Sequence, residues 1–376
     1  MPIIKTEKKK NGLQGYRVIV NYTDLDGKYK KIERTAYGKS DAQAIEAQLL
    51  AKVSSGGTAP SMTVRSLYDE YMQDKRHNVR ESTCDKVRRT LEHIVLPYLA
   101  DVRLDALNTK RLQIWKDTVA SLDTKISTKQ KQYQELSSLL NFGVRRGYIQ
   151  RNPLDMIGNF KDVYFEKPEE TIRYYTADQY LAFSRAARSS AEERGTAIEW
   201  GMYVFFSVAF YTGARKGEIN ALKWSDIEGN TLHIRRSITQ KLKGEDRETP
   251  PKNKTSYRDL QIPAPLMSIL NDHRQRQQCM PRWSEDWRIC GGTETLRDTT
   301  IERKNHAYAD AAGLPKIRVH DFRHTHATVL VNEGINIQEI ARRLGHAKVE
   351  QTWNTYAHLY PREEERAVSV LDKIST

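Results

Sequence analysis

Arginine, histidine and tyrosine residues whose spacing suits chemistry on a phosphate ester lie in three short segments of the C-terminal half of the chain. In the first, residues 211–222 (YTGARKGEINAL), Arg215 precedes Glu218 by three positions, so a helix would place both on one face. A guanidinium at a helix N-terminus is a natural phosphate site, with the carboxylate orienting it from behind. The same spacing is typical of a surface ion pair, and this segment alone would favour that interpretation.

The second segment, residues 319–330 (VHDFRHTHATVL), brings a titratable imidazole and a cation together, because His320 and Arg323 are again three positions apart. Two further histidines, His324 and His326, raise the alternative of a zinc site. No cysteine and no His-Glu-x-x-His pattern accompanies them, so we predict no metal site here. We expect His324 and His326 to be structural or exposed residues.

The third segment, residues 344–360 (LGHAKVEQTWNTYAHLY), has His346 ten positions before Tyr356, and Gly345 is a plausible helix stop. A lone tyrosine in a chain with 19 of them is usually a core or interface residue. Arg215, His320 and Arg323 of the other two segments, together with His346 of this one, make Tyr356 a candidate nucleophile instead.

The three segments together resemble the signature of the tyrosine recombinase (phage integrase) family. That signature is an arginine in the first segment, His-x-x-Arg in the second, then Leu-Gly-His and a tyrosine about ten residues later, and its members here are Arg215, His320, Arg323, His346 and Tyr356. The resemblance implies a site-specific DNA recombinase that cleaves and rejoins strands through a 3′-phosphotyrosyl intermediate, integrating or excising a mobile element, without a cofactor. It also implies a lysine on a β-hairpin, for which we choose Lys254, with Lys252 as the alternative.

The chemistry of the reaction assigns a role to each residue type. Attack on a phosphodiester builds negative charge on its non-bridging oxygens, which Arg215 and Arg323 would stabilise, replacing metal ions. Since a phenol has a pKa of about 10, Tyr356 needs a proton acceptor. We predict that His320 is this base.

The remaining predicted roles concern the leaving group and the phosphate. Lys254 would protonate the departing 5′ oxygen. His346 would donate a hydrogen bond to the phosphate, and Glu218 would orient the first segment without touching substrate.

The composition favours a polyanionic partner. Lys and Arg outnumber Asp and Glu by 61 to 48, which gives a net charge of +13 and suits nucleic acid or an anionic membrane surface. Residues 1–155 contribute +10 of this charge. The longest apolar stretch, residues 202–211, is about half the length of a membrane helix and predicts a core helix. Cys84, Cys279 and Cys290 are odd in number and widely spaced, so we expect a cytoplasmic protein.

The pattern of elements predicts a multidomain chain, mainly α with small β-sheets. Residues 1–55 predict a small ββα unit, in which Ser40 and Gln43 form a capping box, and resemble an arm-type DNA-binding domain. The periodicity of residues 61–155 predicts four helices, the first behind Thr63 as N-cap, and the family resemblance implies that they form a SAM-like core-binding domain. For residues 172–376 the resemblance implies the α+β catalytic domain of the family, with a C-terminal tail that docks on a neighbouring protomer. Linkers are predicted between the three domains.

Basic residues outside the catalytic segments are candidates for DNA contacts, although such residues usually form a solvated helix face. The candidates are Lys8, Lys9, Lys10, Arg88, Arg89, Lys129, Lys131, Arg145 and Arg146. The expected partners are double-stranded attachment sites, three further copies of the chain in a tetramer on DNA, and DNA-bending accessory proteins or an excisionase. No membrane partner is expected.

Two other functions remain open at this point. A strand-swivelling type IB topoisomerase uses similar chemistry, but the arm-type unit and the spacing of the segments disfavour it. A non-catalytic DNA-binding regulator has no need of a correctly spaced phenol, so retention of all the polar residues disfavours that alternative too.

Overall fold

The chain divides into two compact units, Met1–Lys167 and Pro168–Thr376, each with its own hydrophobic core. A computed structural model describes residues 3–23, 29–54, 62–161, 173–240, 246–250 and 254–360, with residues 368, 371 and 372. The predicted linkers and the tail after residue 360 lie largely outside the described residues. The predicted boundaries of three domains therefore stay a prediction.

The first unit begins with an antiparallel sheet and a helix. Strands pair in the order β1-β2-β3 and α1 follows, with bounds β1 Ile3–Lys10, β2 Leu13–Thr23, β3 Tyr29–Tyr37 and α1 Lys39–Ser54. Val18, Val20 and Ala36 of the sheet are buried against Ala42 of the helix. Alternating apolar residues on one sheet face and one helix stripe therefore build this small core.

Two details of this region differ from the prediction. The structure adds β1, an edge strand whose Lys9 and Lys10 pair with Gln14 and Leu13, where two strands were predicted. The capping box predicted at Ser40 is wrong, because α1 begins at Lys39 and Ser40 lies inside its first turn. The predicted Asp26-Gly27 turn lies outside the described residues.

Helices form the rest of the first unit. They are α2 Val64–Asn78, α3 Glu81–Thr90, α4 Leu96–Leu99, α5 Thr109–Ala120 and α6 Ile126–Arg145. The predicted cap is confirmed, since the Thr63 hydroxyl accepts from the Ser66 amide at 3.2 Å. A π-helical turn, Leu91–Val95, joins α3 to α4 just before Pro97, whose nitrogen carries no hydrogen for a regular helical bond.

The second unit is mainly helical with short strands. Its helices are α7 Ala177–Arg194, α8 Ala197–Thr212, α9 Lys216–Ala221, α10 Ala264–Gln278, α11 Asp298–Ala311, α12 Asp321–Asn332, α13 Ile337–Leu344 and α14 Val349–Tyr356. Its strands are β4 Ile227–Glu228, β5 Thr231–Ile234, β6 Ser237–Thr239, β7 Arg247–Thr249 and β8 Arg258–Gln261. The antiparallel order β4-β5-β8 forms one sheet, and β6 pairs with β7.

Helix α8 is the centre of the second core, as its apolar sequence predicts. Phe205 and Phe206 are buried and Phe206 packs against Phe183 and Phe322, with ring centroids 5.2 and 5.1 Å away. The capping box predicted in front of α7 is confirmed, with Thr176 and Gln179 bonding each other's backbone amides. Within the described ranges, no helix is long and apolar enough to cross a membrane.

Candidate active site

The turn after α8 contacts Arg323 and leads into Arg215, the two arginines predicted to bind the phosphate. Gly213 ends the helix in the left-handed conformation, with φ of 62°. A Cβ atom there would come within 2.7 Å of His326 Cδ2, so a larger residue would also collide. The Gly213 carbonyl accepts a hydrogen bond from Arg323 Nη1 at 2.8 Å, and Arg215 follows two positions later at the N-terminus of α9.

A buried carboxylate links this turn to strand β8. Glu218 Oε1 accepts from Arg215 Nη1 at 2.9 Å, and Glu218 Oε2 accepts from Arg258 Nη2 at 2.8 Å. Burial raises the pKa of Glu218, but the Arg258 and Arg215 guanidiniums outweigh it and hold the pKa below its ordinary value. Glu218 thus stays ionised and bonds two guanidiniums, while its role in orienting the first segment for catalysis stays a prediction.

Arg323 is a deeply buried cation of the site, 4% exposed. Its burial, and then the charges of Arg215 and Arg258, lower its pKa to about 9. Among the described residues, Arg323 Nη2 is buried without a hydrogen-bond partner. A buried guanidinium with an unpaired donor beside two other guanidiniums favours binding of an anion. A phosphate would accept the free hydrogen bond and offset the positive charge.

His346 borders the same cations. Gly345 ends α13 with φ of 68°, its carbonyl lies 3.4 Å from Arg215 Nη2, and His346 follows directly. The Nδ1 atom of His346 lies 2.7 Å from the Thr352 hydroxyl. Desolvation and then the three nearby guanidiniums lower the pKa of His346 to about 3, so the ring is neutral at pH 7. If Nδ1 accepts from Thr352, Nε2 carries the hydrogen that a phosphate oxygen can receive.

Tyr356 ends α14 and its side chain is 1% exposed. Ala327, Val331 and Leu344 pack around it. Burial raises the pKa of Tyr356 to about 12, although the positive charge of Arg323 opposes this effect. At neutral pH the phenol is therefore protonated and must lose its proton to act as a nucleophile.

The imidazole in contact with this phenol is His324. Its Nδ1 lies 2.7 Å from Tyr356 Oη. His320, the predicted base, stands one helical turn earlier, and its ring centroid is 5.4 Å from that of His324. Desolvation and the charges around it lower the pKa of His320 to about 4. Both imidazoles are neutral at pH 7.

The predicted lysines lie where the structure gives less detail. Lys254 begins a 3₁₀ turn, Lys254–Ser256, that leads into β8, and nothing is described of its side chain. Lys252 lies outside the described residues. The choice between the two stays a prediction.

The predicted DNA-contacting residues fall into two groups. Those exposed on the surface are Lys8, Lys9, Lys10, Arg89, Lys131, Arg145 and Arg146. Arg88 pairs with Glu92 at 2.9 Å, Arg146 also approaches Asp74 at 3.6 Å, and Lys129 Nζ donates to the Ala120 carbonyl at 2.6 Å. A role in DNA contact stays a prediction for all of them.

The rings of His324 and His326 in α12 face different partners. His326 Nδ1 faces the Phe210 carbonyl at 2.7 Å, whereas His324 Nδ1 faces Tyr356. Over the ranges that the structure describes, no cluster of three His, Cys, Asp or Glu side chains is arranged to hold a metal ion.

The sequence predicted no role in the site for Arg258 or His324. Arg258 occupies a core-facing position of β8, alternating with exposed Asp259, and a buried strand cation requires a buried carboxylate partner. His324 lies four positions after His320 and therefore on the same helix face. Both signals are in the sequence, but they become decisive only when the partners Glu218 and Tyr356 are known.

Replacing Glu218 by Ala should destabilise the second unit by about 3 kcal/mol, because it leaves Arg258, whose side chain is 3% exposed, without its anion. Urea unfolding of the full chain at pH 7 measures this, with exposed Glu193→Ala as the control. Because the folded-state pKa of Glu218 is depressed, the carboxylate contributes stability above the ordinary carboxyl pKa of about 4.3. The difference from wild type should shrink below that pH, and equal stability of both variants at pH 7 would contradict this role.

Comparison with known families identifies both units. Residues 173–363, just over half of the chain, match the phage integrase family, and residues 63–119 match the phage integrase N-terminal SAM-like domain. A tyrosine recombinase XerC-like protein of Caldanaerobacter subterraneus is 26% identical over 98% of this chain and 99% of its own length. The ICEBs1 integrase of Bacillus subtilis is 31% identical over 64% of this chain and 63% of its own length.

Solved structures share the fold. The Tn1549 transposon integrase in complex with transposon right-end DNA aligns with a TM-score of 0.63 at 17% identity, covering 84% of this chain and 100% of that one. A lambda integrase tetramer bound to a Holliday junction aligns with a TM-score of 0.54 at 20% identity, covering 92% and 93%. The predicted fold class is confirmed: a multidomain chain, mainly α with small sheets. The chain belongs to the phage integrase family and is a tyrosine-type site-specific recombinase.

Proposed function

We propose that this chain cuts and rejoins double-stranded DNA at the attachment sites of a mobile element, with Tyr356 as the nucleophile. The observation that carries the proposal is the pairing, within one unit, of a buried phenol with a buried guanidinium that lacks an anion, Arg323. A phosphodiester entering beside Arg323 and Arg215 would complete the hydrogen bonding of these groups.

The arginines act on the charge that develops during the reaction. As Tyr356 attacks in line, two non-bridging oxygens gain negative charge, and the guanidiniums of Arg215 and Arg323 stabilise it. Glu218 and Arg258 hold Arg215 in place before DNA arrives, so little reorganisation is needed. His346 adds a neutral hydrogen-bond donor to the phosphate.

Cleavage also requires protonation of the leaving 5′ oxygen, and rejoining requires that the energy of the phosphodiester bond is kept. The P–O5′ bond breaks as the P–O bond to Tyr356 forms, and Lys254 supplies the proton that the 5′ oxygen needs. The phosphotyrosyl ester keeps the bond energy, so the 5′ hydroxyl of a second strand can displace Tyr356 without ATP. The proton of the Tyr356 phenol passes to an imidazole at the N-terminal end of α12, where His320 is the base predicted from the sequence.

The partners follow from the same relatives. The Tn1549 and lambda integrases were solved on DNA, the latter as a tetramer on a Holliday junction, which supports a tetramer of this chain on its attachment sites. Residues 361–376 would link neighbouring protomers. DNA-bending proteins or an excisionase would assist, and within the described residues Cys84, Cys279 and Cys290 are unpaired thiols, which suits the cytoplasm.

A nicked suicide substrate carrying the flanking DNA of the encoding element tests the proposal. We expect covalent protein–DNA adduct with this sequence and at least about tenfold less with a shuffled sequence, because each mismatch costs about 1–3 kcal/mol. Equal cleavage of both, with relaxation of a supercoiled plasmid that lacks the site, would favour the topoisomerase alternative instead.

Lys254→Ala should slow cleavage by about 100-fold or more, the usual contribution of a general acid. A substrate with sulfur in place of the bridging 5′ oxygen should restore the rate, because a thiolate leaves without protonation. Lys252→Ala is the matched control and should cleave both substrates like wild type. The reverse pattern would assign the acid to Lys252.

A further inference from the structure

The hydroxyl of Tyr356 has one described hydrogen-bond partner, the imidazole of His324. The Nδ1 to Oη distance is 2.7 Å, and the ring centroids are 5.7 Å apart. The phenol ring belongs to an apolar cluster that includes Ala327, Ile340 and Leu344, and the charged groups that act on the phenol are Arg323 and Asp321. His324 is therefore the group positioned to receive the phenol proton.

Helix α12 carries both His324, which contacts the nucleophile, and Arg323, which is proposed to bind the phosphate. Arg323 and His324 are adjacent in sequence and lie with His320 on one helix face. Next to His324, the Thr325 hydroxyl ties the helix to the segment before α7, because it accepts from the Tyr175 amide at 3.1 Å while it donates to the Asp321 carbonyl of its own helix at 3.0 Å. The hydrogen bond to Tyr356 itself orients the His324 ring toward the phenol.

The protonation state of His324 suits an acceptor. Desolvation, supported by the charges of Arg318 and Arg323 and opposed by Asp321, lowers the pKa of His324 below its ordinary value. The other titratable neighbours are His320, one turn earlier, and Tyr356 from α14. The neutral tautomer with its hydrogen on Nε2 leaves the Nδ1 lone pair directed at the phenol.

We propose that His324 is the general base that activates Tyr356. As the Oη–P bond forms and the P–O5′ bond breaks, the phenol proton moves to His324 Nδ1, and the 5′ oxygen takes a proton from the acid assigned to Lys254. In religation the 5′ hydroxyl gives its proton to the neutral Lys254 amine as it attacks phosphorus, the P–O bond to Tyr356 breaks, and the His324 imidazolium returns its proton to the Tyr356 oxygen. This inference rests on the proposed role of Tyr356, and it gives His320 a role at the phosphate.

The test measures the single-turnover rate of adduct formation on the suicide substrate between about pH 6 and pH 9. Wild type should vary little above about pH 7, because the pKa of His324 lies below its ordinary value and the imidazole is deprotonated there. His324→Ala should be at least about 100-fold slower at pH 7, with a rate that rises about tenfold per pH unit because the phenol must ionise by itself. Added imidazole should partly restore it.

Two variants separate proton transfer from positioning. His324→Asn can still hold the phenol through its side-chain oxygen but cannot take the proton, so it should keep the slow, pH-dependent rate. His306→Ala, an exposed histidine of α11, should behave as wild type. Attachment-site binding by each variant, measured in parallel, reports folding.

The results distinguish this inference from the function on which it rests. A wild-type rate in His324→Asn, or a flat pH profile in His324→Ala, would show that His324 does not accept the proton. Adduct formation by Tyr356→Phe would instead overturn the role of Tyr356 itself. If His320→Ala alone acquired the pH-dependent rate, the base would be His320.

Discussion

Tyr356→Phe should form no covalent adduct with attachment-site DNA, while its affinity for that DNA stays within about twofold of wild type. The substitution removes the hydroxyl that forms the phosphotyrosyl bond and leaves the ring that packs against Ala327, Val331 and Leu344. The hydrogen bond to His324 is lost, at a cost of about 1 kcal/mol, too little to unfold the unit. A denaturing gel reports the adduct and a native gel shift reports binding.

The control for this prediction is Tyr360→Phe. Tyr360 is four residues further on, and its hydroxyl donates to the Ile335 carbonyl at 2.6 Å, so its loss perturbs the same region without touching the site. This variant should still form adduct. Adduct formation by Tyr356→Phe, or its loss in both variants alike, would be incompatible with a specific role for Tyr356.

Arg323→Lys should lower the cleavage rate by about 1,000-fold or more, the size of effect typical of an arginine that stabilises a transferring phosphoryl group. A lysine keeps the charge but cannot bond the Gly213 carbonyl and a phosphate oxygen with two fixed donors. The ammonium would also lie buried beside Arg215 and Arg258, where burial and like charges favour its neutral form. Single-turnover cleavage measures the loss.

The matched control is Arg185→Lys, the same change at an exposed position of α7. Its cleavage rate should equal that of wild type. Binding of DNA by Arg323→Lys should weaken far less than cleavage does, because the guanidinium acts mainly on charge that develops in the transition state. An equal loss in affinity and rate would instead make Arg323 a ground-state contact.

Local sequence signals predicted the elements that hold the site. The Thr63 and Thr176 caps were predictable because each depends on side chains within three or four positions of a helix start. The pairing of Arg215 with Glu218 follows for the same reason. Strand β1 has a local signal that the prediction missed, because Asn11-Gly12 is a typical two-residue hairpin turn and both residues have positive φ. The lysines of β1 interrupt the alternation of apolar and polar residues that would otherwise indicate a strand.

Contacts between distant segments could not be predicted in this way. Glu218 and Arg258 are 40 positions apart, and His324 and Tyr356 are 32 apart. Spacing identifies residues that share a helix face, but it does not decide which of two imidazoles on that face meets the phenol. Packing of α14 against α12 and α13 decides it, by burying the Tyr356 ring in their apolar groove.

Identification of the residue that carries the DNA shows most directly whether Tyr356 is the nucleophile. Wild-type protein is trapped on the suicide substrate, the DNA is trimmed with nuclease, and the peptides are sequenced by mass spectrometry. We expect a nucleotide remnant joined through its 3′ phosphate to the oxygen of Tyr356, and no remnant on any of the other tyrosines among the 19 of the chain. A remnant on another residue, or cleavage and rejoining with no remnant at all, would contradict it.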